Sequence, residues 1–139
     1  MTEPFRPLDG GCLCGAVRFR LNAQPTAAGY CHCRMCQKNS GAPVVAWAAL
    51  PHAAFAYTKG TPGAYKSSPG AQREFCRDCG SYMIFRDSTP TISVNIASLD
   101  EPARVKPAFH IWCESRIPWF DTADALKRYA RGDWDEKMY

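Results

Sequence analysis

No run in this sequence approaches the roughly 18 consecutive apolar residues that a membrane-spanning helix requires. The opening stretch, Met1 to Gly10, carries two prolines and none of the charged-then-apolar pattern of a secretion signal. Internal repeats and low-complexity tracts are also missing. These absences set aside membrane, secreted and repeat architectures and leave a cytoplasmic globular protein as the expectation. Composition sets aside disorder, because 46% of the residues are apolar and 12% aromatic. A length of 139 residues falls near the common size of one domain, so residues 1–139 are expected to share a single core.

Cysteine, by contrast, is plentiful. Eight occur, and a cytosolic protein does not keep a disulfide framework. Their spacing reads as Cys12-x-Cys14, Cys31-x-Cys33-x2-Cys36, Cys76-x2-Cys79 and a lone Cys113. Short paired spacings are what chelating turns need. Residues two apart on an extended segment point the same way, so the sulfurs of Cys12 and Cys14 can face one ion. Cys76-Arg77-Asp78-Cys79-Gly80 has knuckle spacing, with a small residue past the second cysteine to suit the backbone reversal. Four thiolates close a structural zinc site, and these two pairs supply them. A redox dithiol is the competing explanation of either pair, although the strand–helix context of a thioredoxin motif is lacking.

Cys31, Cys33 and Cys36 then form a separate group one donor short of a tetrahedron, as in a zinc site that performs chemistry. Three explanations compete for it. The fourth position is open to substrate; or His32, His110, Cys113 or an acidic residue fills it and the site is structural; or an iron–sulfur cluster draws on the eight cysteines. The formal charge of +4 looks mildly basic. Seven ionised thiols would subtract seven charges and two Zn2+ restore four, leaving about +1, so no nucleic-acid partner is expected.

Around these groups the chain reads as short strands separated by turns. Ala16 to Leu21 alternates apolar and basic side chains, as a strand with one buried face does. Val44 to Leu50 is a near-continuous apolar run, suited to a strand buried on both faces and ended by Pro51. Phe55 to Tyr57, Ala64 to Ser68, Ser81 to Arg86, Thr91 to Ile96 and Phe109 to Trp112 supply further strands between turn signals. Asn22 to Gly29 reads as a turn region. Helical signals are confined to a short turn from Cys33 and to Thr122–Tyr129, which opens on a capping residue and predicts a short C-terminal helix. The expectation is a mainly β fold of short antiparallel strands.

The remaining chemistry-bearing residues have ordinary expectations. Cys113 reads as a small buried apolar residue. Nothing in the spacing selects His32, His52 or His110 as catalytic. Trp47, Phe85, Phe109, Trp112 and Trp119 read as core, with Trp119-Phe120 as an aromatic plug. Any of these that reach the three-cysteine group could wall a substrate. Arg34, Lys38, Arg73 and Arg77 read as solvated side chains, one or two of which could hold a substrate carboxylate.

Taken in order, Gly11-Cys12-Leu13-Cys14-Gly15-Ala16-Val17, Cys31-His32-Cys33-Arg34-Met35-Cys36 with Ser40-Gly41, Arg73 to Ser81, Leu99-Asp100 and His110-Ile111-Trp112 form a pattern. It resembles the glutathione-dependent formaldehyde-activating enzyme and centromere protein V family from about Gly10 to Tyr129. The resemblance implies an Mss4-like, largely β fold and two zinc ions per chain. The structural ion would fall on Cys12, Cys14, Cys76 and Cys79, and the catalytic ion on Cys31, Cys33 and Cys36. It further implies a carbon–sulfur lyase that condenses formaldehyde with the thiol of glutathione, a small-molecule partner. The sequence departs from the pattern at Ala97-Ser98-Leu99-Asp100, which has no glycine before Leu-Asp.

The three-thiolate group suits such thiol chemistry, since its net negative charge lowers Lewis acidity and makes a bound sulfur more nucleophilic. The alternative is a zinc-stabilised binding module with both metal sites structural and no catalysis. A redox-sensing thiol cluster is a third reading.

Overall fold

A computed structural model describes residues 3–132, in which eleven short strands, one α-helix and four 3-10 turns occur. The strands are β1 (Leu8–Gly11), β2 (Arg18–Leu21), β3 (Ala27–Cys31), β4 (Val45–Pro51), β5 (Phe55–Lys59) and β6 (Gly63–Ser68). They continue as β7 (Ala71–Phe75), β8 (Tyr82–Arg86), β9 (Thr91–Asn95), β10 (Phe109–Ile111) and β11 (Lys127–Arg128). The helix α1 (Arg34–Ser40) joins β3 to β4. The fold is mainly β, as the alternating patterns imply.

A three-stranded sheet, β1-β2-β5, accompanies an eight-stranded sheet in the order β11-β10-β3-β4-β9-β8-β7-β6. Every pairing is antiparallel except β10 with β3 and β10 with β11. The apolar run of β4 explains the arrangement. Ala48 and Leu50 join a core with Leu8, Phe19, Leu21, Phe55, Ile84 and Val94, where the small sheet packs on the large one. Val45, Trp47 and Ala49 point the other way, into a second cluster with Cys31, Cys36 and Phe109. Burial on both faces requires apolar side chains at every position of such a strand, which is the pattern found.

The sheets are also joined by polar groups. Glu74 on β7, 3% exposed, accepts from the Tyr57 hydroxyl of β5 at 2.5 Å and pairs with Arg86 of β8. Leu99 is buried, and the Asp100 carboxylate receives a two-pronged Arg18 guanidinium, so the Leu-Asp step fastens its loop to β2.

Three expectations are corrected. Thr122–Tyr129 is not a helix but an irregular segment ending in β11, the outermost strand, which lies parallel to β10. The helical signal was a capping pattern without a buried apolar face to support it. Trp119 is 76% exposed and plugs nothing. The segments read as arm and turn, before Cys12 and before Cys31, are β1 and β3; their glycines weaken the local strand signal, and pairing with Arg18–Leu21 and with Val45–Ala49 overrides it.

Candidate functional site

The turn between β1 and β2 carries Cys12 and Cys14, and the turn between β7 and β8 carries Cys76 and Cys79. The fold brings the two turns together. The Cys14 sulfur lies 3.7 Å from that of Cys12 and 3.8 Å from that of Cys76, and all four sulfurs fall within 4.8 Å of one another. A zinc ion held by thiolates at about 2.3 Å spaces its sulfurs by about 3.8 Å along each tetrahedral edge, so this donor set fits such an ion. The Leu13 N–H donates to the Ser81 hydroxyl at 3.0 Å and stitches one turn to the other. The Val17 N–H donates to the Cys12 sulfur at 3.2 Å, and Ser81, 3.2 Å from the Cys79 sulfur, holds that thiol down at about 5.

Cys31, Cys33 and Cys36 meet at the junction of β3 and α1. Cys31 is pinned on both sides, opposite Val45 of β4 and Ile111 of β10. Cys33 caps the helix, its sulfur accepting from the Cys36 N–H at 3.3 Å. The Cys36 sulfur is 3.6 Å from that of Cys31, again a tetrahedral edge, and the three lie within 4.8 Å of one another. Among the described residues no histidine nitrogen, carboxylate oxygen or further sulfur lies within 4.8 Å of all three. Either group could hold a metal ion, the first with four donors and the second with three. In their protonated state the three thiols compete. Cys33 is drawn far down by its contacts with Cys31 and Cys36, and Cys31 is pushed far up by its contacts with Cys33 and Cys36 and by burial.

The histidines proposed as completing ligands have other partners. His32 and His110 are 1% and 0% exposed, and His32 Nε2 lies 2.8 Å from His110 Nδ1. His110 Nε2 lies 3.2 Å from both Asp124 Oδ1 and Thr122 Oγ1, and Tyr30 stacks on its ring at 4.7 Å. His52 is half-buried, 3.0 Å from the Thr89 carbonyl. Cys113 is half-buried outside either group.

Among the basic residues Arg34, Lys38 and Arg77 are exposed as expected, but Arg73 is not a solvated side chain. It is 4% exposed, and its Nη1 donates to the Tyr82 hydroxyl at 2.8 Å and faces the Cys36 sulfur at 3.7 Å. Tyr82 also lines a cleft of about 420 Å³ with Leu13, Ser40, Val45, Asn95 and Ser98. A larger, shallow hollow of about 710 Å³ lies at the β6–β7 hairpin turn, the opposite end of β7 from Cys76. Among the described residues no charged side chain lines the cleft of about 420 Å³. Of the aromatic candidates Trp47 and Phe109 are buried in the second cluster, and Trp112 packs at its border with a left-handed backbone, φ 57°. Asp124, Thr122 and Tyr82 could not be found from sequence, since no spacing rule links the first two to His110 or the third to Arg73, the residues they meet in space.

The chain is similar to curated proteins and to a solved structure. A Schizosaccharomyces pombe protein named as an uncharacterized lyase is 29% identical over 55% of this chain, a match that spans only 56% of that protein. A Halomonas elongata protein, named for glutathione-dependent formaldehyde activation, is 29% identical over 82% of this chain and 80% of its own length. The crystal structure of a Rhodobacter sphaeroides protein superposes with a TM-score of 0.57 at 28% identity, covering 71% of this chain and 91% of that one. The family model for the glutathione-dependent formaldehyde-activating enzyme matches residues 7–115, a span that holds all seven clustered cysteines, and the chain belongs to that family.

Proposed function

We propose that this protein is a zinc-dependent carbon–sulfur lyase-type enzyme that adds a small carbonyl compound to a thiol such as glutathione, or removes it. One observation carries the reading: of two cysteine groups with tetrahedral sulfur spacing, one offers four donors and the other three. In this reading Cys12, Cys14, Cys76 and Cys79 hold a structural zinc, and Cys31, Cys33 and Cys36 hold a second whose fourth position is free. A zinc ion there would supply a site at which a substrate thiol sheds its proton near neutral pH, against an ordinary thiol pKa of about 8.5.

The chain's own residues supply the rest. The pairing of Cys31 with both Val45 and Ile111 and the capping role of Cys33 fix the three sulfurs before any substrate arrives. The sulfur lone pair of the substrate forms the new C–S bond. The carbonyl π electrons move to oxygen, which takes up the proton that the thiol lost; the reverse reaction returns thiol and carbonyl compound. The relatives' names support formaldehyde as the carbonyl partner and glutathione as the thiol. Among the described residues no helix is long and apolar enough to cross a membrane.

Metal content and thiol-dependent formaldehyde consumption test the reading together. The wild-type protein should hold two zinc ions and consume formaldehyde when glutathione is present. Cys31→Ser should hold one, lose the activity and stay folded. A Cys31→Ser protein that unfolds as Cys76→Ser does would instead favour a binding module with two structural ions.

A further inference from the structure

Arg73 is a buried cation with no carboxylate partner among the described residues. Its guanidinium carbon lies over the rings of Tyr82 and Phe85, 5.4 and 5.0 Å from their centroids. Nη1 meets the Tyr82 hydroxyl and the Cys36 sulfur, while Nε is buried with no hydrogen-bond partner among the described residues. The adjacent carboxylate, Glu74, points to the opposite face of β7, where Tyr57, Gln72 and Arg86 saturate it. No described Asp or Glu forms an ion pair with Arg73. Burying a guanidinium is costly unless an anion offsets it. The anions within reach are the thiolates of the three-cysteine group.

We propose that Arg73 is a positioning residue that sets the charge of the three-cysteine centre and so selects an anionic fourth ligand, a thiolate, over neutral water. The proposal rests on the reading that this centre holds a metal with its fourth position free. Three thiolates around a divalent ion carry one net negative charge, and a fourth thiolate brings a second. At the centre's low-dielectric edge that second charge would be repelled; the fixed positive charge beside Cys36 offsets it. Arginine suits the place because it stays protonated even when buried and can stack on aromatic rings. Lysine would keep the charge and lose the planar stacking.

The test uses the full chain loaded with cobalt(II), titrated with 2-mercaptoethanol, a thiol with no carboxylate that Arg73 could bind directly. Thiolate-to-cobalt charge-transfer absorption reports binding without turnover. Arg73→Gln, which is polar but carries no charge, should bind the thiol at least about tenfold more weakly than wild type. Arg73→Lys should stay within about threefold of wild type. Equal binding by wild type and Arg73→Gln overturns the proposal. If Arg73→Gln does not fold, Arg73→Lys decides alone: near-wild-type binding supports the role of charge, and a tenfold loss overturns it. A wild-type protein that binds two cobalt ions yet shows no response to thiol overturns the functional reading itself, and the role of Arg73 with it.

Discussion

His32 and His110 lie wholly inside the protein with their rings stacked at 5.1 Å, and one hydrogen bond of 2.8 Å joins them. Their tautomers follow from the neighbours. With both rings neutral, the Asp124 carboxylate, which can only accept, puts the hydrogen on His110 Nε2, so that His110 Nδ1 is the acceptor and His32 Nε2 donates to it. His32 Nδ1 is then a buried lone pair with no partner among the described residues. Replacing His110 by Phe keeps a ring in the stack and removes the acceptor, stranding the His32 N–H. The expected loss is about 1–3 kcal/mol, read from urea midpoints with an unchanged denaturant slope.

Asp124 ties the last described segment to this pair. The Thr122 side chain, the Leu126 N–H at 3.0 Å and His110 hold its carboxyl well below the ordinary 3.8. A carboxylate lowered on folding contributes stability above its unfolded pKa, and that contribution disappears as pH falls towards its folded value. The urea midpoints of wild type and Asp124→Asn should therefore differ by a constant amount between about pH 8 and pH 5 and converge only below the usual carboxylate range.

Tyr57 to Glu74 is a bond between sheets, and it satisfies a carboxylate that water does not reach. Tyr57→Phe removes one of that carboxylate's donors and leaves the ring packing in place. Thermal or urea unfolding should show a loss of about 1–3 kcal/mol.

Two glycines separate the cost of conformation from the cost of space. Gly41 ends α1 at φ 71° with nothing within 4 Å of where a Cβ would lie. Gly60 has φ 72°, and a Cβ there would lie 2.1 Å from the Ala16 carbonyl oxygen. Gly41→Ala should cost about 1 kcal/mol, the penalty for a left-handed residue with a side chain. Gly60→Ala should cost clearly more, because backbone must move; chemical denaturation of the two variants side by side measures the gap.

These costs also show why some of the molecule was legible in sequence. Cys12-x-Cys14 and Cys76-x2-Cys79 are chelating spacings set by local geometry, and ligand counting alone separates them from Cys31, Cys33 and Cys36. The alternation of Thr91 to Ile96 and the apolar run after Val44 likewise report local burial. The position of Arg73 does not, because its neighbours Cys36 and Tyr82 belong to other elements and its own strand alternates among polar residues. Asp124 fails for the same reason, and its segment reads as helix in sequence only because a capping residue opens it; without an apolar stripe a cap carries little information.

The parallel pairing of β3 with β10 bears on the order in which the centres are completed during synthesis. The four-cysteine group needs nothing beyond the β7–β8 turn, whereas the strand that flanks Cys31 through Ile111 is itself flanked by β11, ending at Arg128. A ribosome adding about 5–20 residues per second leaves an interval on the order of seconds between the two. The four cysteines of the first group can thus meet while Cys31, Cys33 and Cys36 still lack the strand that flanks them, and the three-cysteine group is the last to be assembled.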